Sequence, residues 1–159
     1  MSAGVVRRPT RGTDNRVVRV CRLLNQYRVR YLLAGGVAAN LHGSVRATKD
    51  VDILVPRDPR NMTRLLGALS NLPWGIAREL DADTIAHKPI TIIGDDPRVD
   101  VLTVAWTVTF ERAWPNRKVR RVEGTRLPFL SLEDLRESKN TGRASDRADL
   151  EALEKMPDA

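Results

Sequence analysis

Apolar residues recur along this chain with two different periods, and the change between them marks where helix gives way to strand. Near the N-terminus Val17, Val20, Cys21 and Leu24 fall at helical spacing, which predicts a helix with one buried stripe. Residues 31–34 are apolar throughout and run into Gly35-Gly36, predicting a short strand that turns into an Ala-rich helix closing near His42-Gly43. From Thr48 to Val55 the period becomes two, so Asp50 and Asp52 share one strand face while Val51, Ile53 and Val55 share the other. The turn-like Asp95-Asp96-Pro97-Arg98 precedes a third β-branched run, residues 99–104, containing the single acid Asp100. Ser131 is a good N-cap for a helix with Glu133 and Asp134 in its first turn. That helix closes at Lys139, and a second begins near Arg143 with Leu150 and Leu153 as its apolar stripe. The expected architecture is α/β. A mixed, twisted sheet holds strands near 31–34, 51–56 and 99–104, is flanked by helices, and is finished by a C-terminal helix pair.

Asp50 and Asp52 carry the first chemical signal. On a strand their Cα atoms lie about 7 Å apart, and two like charges at that spacing repel unless a cation sits between them. Carboxylate oxygen is the ligand that Mg²⁺ or Mn²⁺ takes. An isolated pair of this kind is commonly a solvated strand face, so the setting decides. Gly35 and Gly36 remove side-chain bulk at a helix start, where backbone can approach a phosphate, although a plain strand-to-helix turn also uses such a pair. The helix then returns the chain directly to Asp50 and Asp52. Asp100 either faces a cation or serves as an edge-strand charge that discourages aggregation.

Gly35-Gly36 followed by Arg46, Thr48, Asp50 and Asp52 resembles the signature of the DNA polymerase β-type nucleotidyltransferase superfamily. With His42-Gly43 included, the block is most similar to the small bacterial nucleotidyltransferases of the AbiEii and MenT type, the toxins of toxin–antitoxin systems. The resemblance implies a polymerase β-like fold, an NTP substrate and two Mg²⁺ or Mn²⁺ ions bridged by Asp50 and Asp52. It implies that Asp100 is the third ligand and the general base toward the attacking hydroxyl. Gly35, Gly36, Arg46 and Thr48 would lie around the nucleotide. Arg46 has a structural alternative as the partner of Asp50 or Asp52, and Thr48 shares their face, so its hydroxyl can orient a carboxylate. The pattern Lys139, Gly142-Arg143, Asp146-Arg147 and Asp149-Leu150 resembles the C-terminal motifs of the toxin-type enzymes, which implies that Lys139 holds the triphosphate and Asp146 orients it. Many superfamily members have serine where this chain has Gly36, so one hydroxyl contact to phosphate is missing here.

Charge then bears on the partner. The 159 residues carry a formal net charge of +7, with arginine far in excess of lysine, a balance suited to polyanions. Arg7, Arg8, Arg11, Arg16, Arg19 and Arg22 form one concentration. Arg112, Arg117, Lys118, Arg120 and Arg121 form another, interleaved with Trp114 in a pairing useful for gripping single-stranded nucleic acid. Joined to the resemblance, these patches point to RNA as acceptor, most of all the 3′ end of tRNA, and to a toxin with a cognate antitoxin. An antibiotic- or other small-molecule nucleotidyltransferase is the alternative, and a catalytically silent NTP- or RNA-binding module of the same fold is another. The lone Cys21 cannot form an internal disulfide, and no apolar run reaches 18 residues, so a cytoplasmic protein without a membrane span is expected. Residues 1–13 read as a flexible basic arm and 14–159 as one domain. His42 reads as a helix-ending residue bonded to its own turn, and His87 as part of a hairpin without a role.

Overall fold

A computed structural model describes residues 15–45 and 47–157. The chain opens with α1 (Asn15–Gln26), whose Val17, Val20, Cys21 and Leu24 are buried as their spacing predicts. β1 (Leu32–Ala34) leads into α2 (Gly35–Leu41), and β2 (Val51–Leu54) into α3 (Pro59–Leu69). Asp58 caps α3 by accepting from the Arg60 amide, and Pro59 starts it where a missing N–H costs nothing. A short α4 (Ala82–Ala86), β3 (Ile90–Ile93) and β4 (Val99–Leu102) follow. Next come α5 (Phe110–Ala113), the hairpin β5 (Lys118–Val122) and β6 (Thr125–Phe129), and the helix pair α6 (Leu132–Ser138) and α7 (Ala144–Glu154).

The six strands form one mixed sheet in the order β3-β4-β2-β1-β6-β5. β1 is antiparallel to β2 and parallel to β6, while β2 and β4 are parallel. The three expected strands are therefore its centre. β3 and the β5–β6 hairpin were not expected. β3 is an edge strand that turns Ile90 and Ile92 to solvent, so its apolar residues do not mark a buried face, and β6 buries Thr125, Leu127 and Phe129 in alternation but contains Pro128, a residue that argues against a strand. His87 follows α4 as its C-cap instead of lying in a hairpin.

One apolar cluster runs from Val17 of α1 through Leu33, Ile53 and Val101 of the central strands to Leu153 of α7. Burial of this surface is the main force holding helices to sheet. Ser131 caps α6 by accepting from the Asp134 amide, as its position predicts. No helix among the described residues is long and apolar enough to cross a membrane.

Candidate active site

Strand register builds the site. Ala34 of β1 pairs with Asp52 of β2, and Asp52 pairs with Asp100 of β4. Register partners on adjacent strands point to the same face, so Asp52 and Asp100 stand side by side, about 5 Å apart at Cα. Asp50 precedes β2 by one residue and two residues precede Asp52 with the same side-chain direction. The sequence leaves open whether Asp100 belongs with the other acids, and the parallel pairing of β2 with β4 brings it beside them.

A cation already stands among these acids, and it is a side chain. Arg98 donates from Nε to Asp100 Oδ1 at 2.8 Å and from Nη2 to Oδ2 at 3.2 Å, with Nε also 3.7 Å from Asp50 Oδ2. Sequence reading missed Arg98. The signal was present: it lies two residues before Asp100, hence on the same face of the same run. Among the described residues Asp52 has no such hydrogen-bonded cation, and its carboxyl is the one pushed up. Burial, then the charge of Asp100, push its carboxyl from 3.8 up to about 6; Lys139 pulls the other way, and Asp50 adds a further push.

Gly35 explains how Asp52 fits. Its φ is +57°, and a Cβ there would collide with the Asp52 carboxylate. The glycine thus makes room for an acid of the site as well as meeting a turn requirement. A Cβ on Gly36 would lie 3.2 Å from Thr48 Cβ and Oγ1. Thr48 donates to the Asp50 backbone carbonyl at 3.0 Å, so it fixes the chain before β2 and does not orient a carboxylate.

Lys139 reaches the site from the C-cap of α6. Its Nζ is 3.7 Å from Asp146 Oδ1 and 3.3 Å from Asp149 Oδ2. Asp146 is buried and also accepts from Thr141 Oγ1 at 2.6 Å and Arg143 Nε at 2.7 Å. Burial alone would raise its carboxyl, but the Thr141 hydrogen bond and the charges of Lys139 and Arg143 hold it below its ordinary value. Asp146 therefore holds Lys139 by an ion pair and itself lines the hollow beside Asp52.

Gly35, Gly36, Thr48, Asp50, Asp52 and Lys139 line one cleft of about 490 Å³. On the other side of Asp52 and Lys139 lies a hollow of about 370 Å³, which adds Ile90, Trp106, Arg143 and Asp146. Asp52 and Lys139 thus stand between two adjoining spaces. Arg46 and the arginines of residues 1–13 lie outside the described residues.

The donor set fits a hard divalent cation. It is all carboxylate oxygen, and Arg98 is the observed stand-in for positive charge. With Arg98 in place, no three His, Cys, Asp or Glu side chains among the described residues gather as a metal-binding group. Asp50, Asp52 and Asp100 are the residues that would hold the ion.

The remaining candidates have other work. His42 Nε2 is 2.8 Å from the Leu130 carbonyl and its ring meets Phe129 edge-on, so it ties α2 to the end of β6, not to its own turn. Trp114 stacks on Phe110 and lies under the Arg117 guanidinium, 3.7 Å from the ring centroid. Its ring is thus engaged within the protein and is not a free platform for a base.

The sequence model of the aminoglycoside-2''-adenylyltransferase family matches residues 16–153 of this chain. Among solved structures, the fold is similar to the crystal structure of an antigenic nucleotidyltransferase-like protein from Paracoccidioides brasiliensis, with a TM-score of 0.52 at 18% identity. The match covers 86% of this chain and 73% of that one, and at this identity it speaks for the fold alone. No curated protein matches the chain at a significant level.

Proposed function

Because the chain belongs to the aminoglycoside-2''-adenylyltransferase family and is a nucleotidyltransferase, we propose that it moves a nucleoside monophosphate from an NTP to an acceptor hydroxyl at the Asp50/Asp52/Asp100 cluster. The observation that carries this reading is the register pair Asp52–Asp100, which sets Asp100 beside Asp52, while Asp50 and Asp52 stand in the wall of a cleft that also presents Lys139.

The residues divide the work by position. Asp50, Asp52 and Asp100 would hold Mg²⁺ or Mn²⁺, which supplies acidification of the attacking hydroxyl and neutralisation of the leaving pyrophosphate. Gly35 and Gly36 leave the start of α2 bare, so a triphosphate can lie against the backbone. Lys139 opposes the triphosphate charge, and Asp146, Thr141 and Arg143 hold its end of α6 in place. Asp100 takes the proton of the acceptor hydroxyl as its oxygen bonds to the α-phosphorus and the bond to pyrophosphate breaks. Arg98 must first release Asp100, because a carboxylate gripped by two guanidinium hydrogen bonds is a poor base.

The family name and the hollow beside Asp52 favour a small-molecule hydroxyl, of the aminoglycoside kind, as acceptor. At about 370 Å³ the hollow is of small-ligand size, with Trp106 and Ile90 for apolar contact. A second reading, RNA as acceptor in the manner of the toxin-type enzymes, is favoured by arginines gathered in a groove at the opposite end of the sheet. Incubating the protein with Mg²⁺, each α-labelled NTP, a panel of aminoglycosides and total RNA tests both. Label on an aminoglycoside supports the first reading, and label on RNA with growth arrest on expression supports the second. Label on neither, with no pyrophosphate released under any NTP, defeats the proposal.

A further inference from the structure

The second cavity of interest lies far from the carboxylates, at the end of the sheet where β1 begins and β6 begins. It is a groove of about 760 Å³ between α1 and the β5–β6 hairpin, lined by Arg22, Arg28, Arg30, Arg117, Arg121 and Arg126, and among the described residues no carboxylate lines it. Six guanidinium groups that share one concave surface repel each other unless anions neutralise them.

The described residues do not supply those anions. Among the described residues none of the six pairs with a carboxylate. Arg22 reaches the neutral hydroxyl of Thr125 at 3.5 Å. Arg117 donates to the Trp114 carbonyl at 3.0 Å and lies over the Trp114 ring, while Arg30 lies over the ring of Phe110 at 5.1 Å. Stacking of this sort orients a guanidinium and leaves its charge in place. The groove frame is nonetheless well fixed. Asn25 donates to the Arg126 carbonyl at 3.0 Å and accepts from Tyr31 Oη at 2.9 Å, tying α1 to both strands that bound the groove.

The positive surface continues toward the active cleft. β5 is the edge strand of the sheet, and its period of two puts Arg121 on the groove side and Lys118 and Arg120 on the other. Arg117 lines both the groove and a further hollow shared with His42, Lys118, Glu133 and Arg136, where three cations outnumber the one carboxylate among the described residues. The residue after His42 is Gly43, which lines the catalytic cleft. A compact anion fills one of these spaces, whereas a flexible chain of phosphates can occupy them in succession. A hollow of this size has room for only a few nucleotides of a single strand.

We propose that the arginine groove of α1 and the β5–β6 hairpin docks single-stranded RNA, whose strand follows the β5 edge toward the carboxylate cleft. This deepens the RNA-acceptor reading by naming where the acceptor is held, and its delivery to the cleft rests on that reading, whereas docking itself can be measured without any transfer.

The experiment is fluorescence anisotropy of the full chain with a labelled single-stranded RNA of about 15 nucleotides, near the upper site size for one small domain, over a series of salt concentrations. The comparison is with the triple variant Arg22→Gln, Arg28→Gln, Arg121→Gln. The proposal predicts at least about tenfold weaker binding in the variant and a log–log salt slope flatter by about 2, as expected when three phosphate contacts to a single strand are lost. NTP binding should be unchanged in the same variant, which certifies its fold. The triple Arg→Lys variant should recover part of the affinity, since charge is kept and the planar fork lost. Equal RNA binding by wild type and the Gln variant overturns the proposal, as does wild-type binding to anionic vesicles with none to RNA. RNA docking without transfer defeats the acceptor reading and leaves the groove standing; transfer to RNA that ignores the three arginines does the reverse.

Discussion

Arg98 and Asp100 are joined by two hydrogen bonds, 2.8 and 3.2 Å long, two residues apart in the strand region that carries the third carboxylate. The guanidinium also stands 3.7 Å from Asp50, so it neutralises part of the charge that a divalent ion would neutralise. A divalent ion held by these acids would therefore compete with Arg98 for the same oxygens. Replacing Arg98 with Gln should lower the Tm of the metal-free protein, because Asp50 and Asp100 lose their counter-charge. The gain in Tm on adding Mg²⁺ should become larger than in wild type, and Mn²⁺ titration should show tighter binding. Weaker metal binding in the variant would mean that Arg98 assists the site instead of competing for it.

Asp52 makes stability depend on pH in an unusual direction. Burial and the neighbouring Asp100 raise its carboxyl from 3.8 to about 6. Between those values the folded protein holds a proton that the unfolded chain has released, so stability is lost as pH rises through this window. At about 1.36 kcal/mol per unit, the loss by neutral pH is on the order of 3 kcal/mol. Asp52→Asn should accordingly raise the metal-free Tm at neutral pH, with no advantage below the unfolded value of 3.8. A Tm difference that is constant over the whole range would contradict this account of Asp52.

Gly35 and Gly36 look equivalent in sequence and should respond differently to alanine. Gly35 combines a φ of +57° with direct contact to the Asp52 carboxylate, while at Gly36 only a few tenths of an ångström of movement by Thr48 is required. Gly35→Ala should cost about 1–3 kcal/mol from left-handed backbone and overpacking together, and Gly36→Ala clearly less. Urea denaturation of the two variants ranks them.

Much of this site is legible in the chain itself, and what is hidden has identifiable causes. Asp50 and Asp52 declare themselves by alternation with Val51 and Ile53, and the turn from residues 31–34 into Gly35 is marked by composition. The helix pair around Lys139 is announced by Ser131 and Gly142. Whether Asp100 joins the other acids depends on β2 lying parallel to β4, a long-range pairing that local pattern does not encode. The ion pair of Arg98 follows from the same pairing. α3 was legible and passed over: Asp58-Pro59 is a helix start, and Met62, Leu65, Leu66 and Leu69 keep helical spacing and are buried. The β5–β6 hairpin was hidden because its alternating residues are arginines and lysine, which read as a charged patch and not as a strand.

Lys139 is held between Asp146 and Asp149, at 3.7 and 3.3 Å, and lines the same cleft as Asp52. If its charge serves the triphosphate, Lys139→Ala should weaken NTP affinity by at least about tenfold, the effect of losing one charge-assisted contact. Lys139→Arg should restore only part of it. Calorimetric titration with NTP separates this from a purely structural role, in which the Tm falls and the NTP affinity does not.

Asp50, Asp52 and Asp100 are proposed to act as one catalytic cluster for nucleotide transfer. The most direct test of this role is release of pyrophosphate from each NTP in the presence of Mg²⁺ and acceptor, by wild type, Asp50→Asn and Asp52→Asn, with circular dichroism to confirm folding. Wild type should turn over, and each folded variant should lose at least about 10²-fold. Turnover near the wild-type rate in either variant would contradict this role.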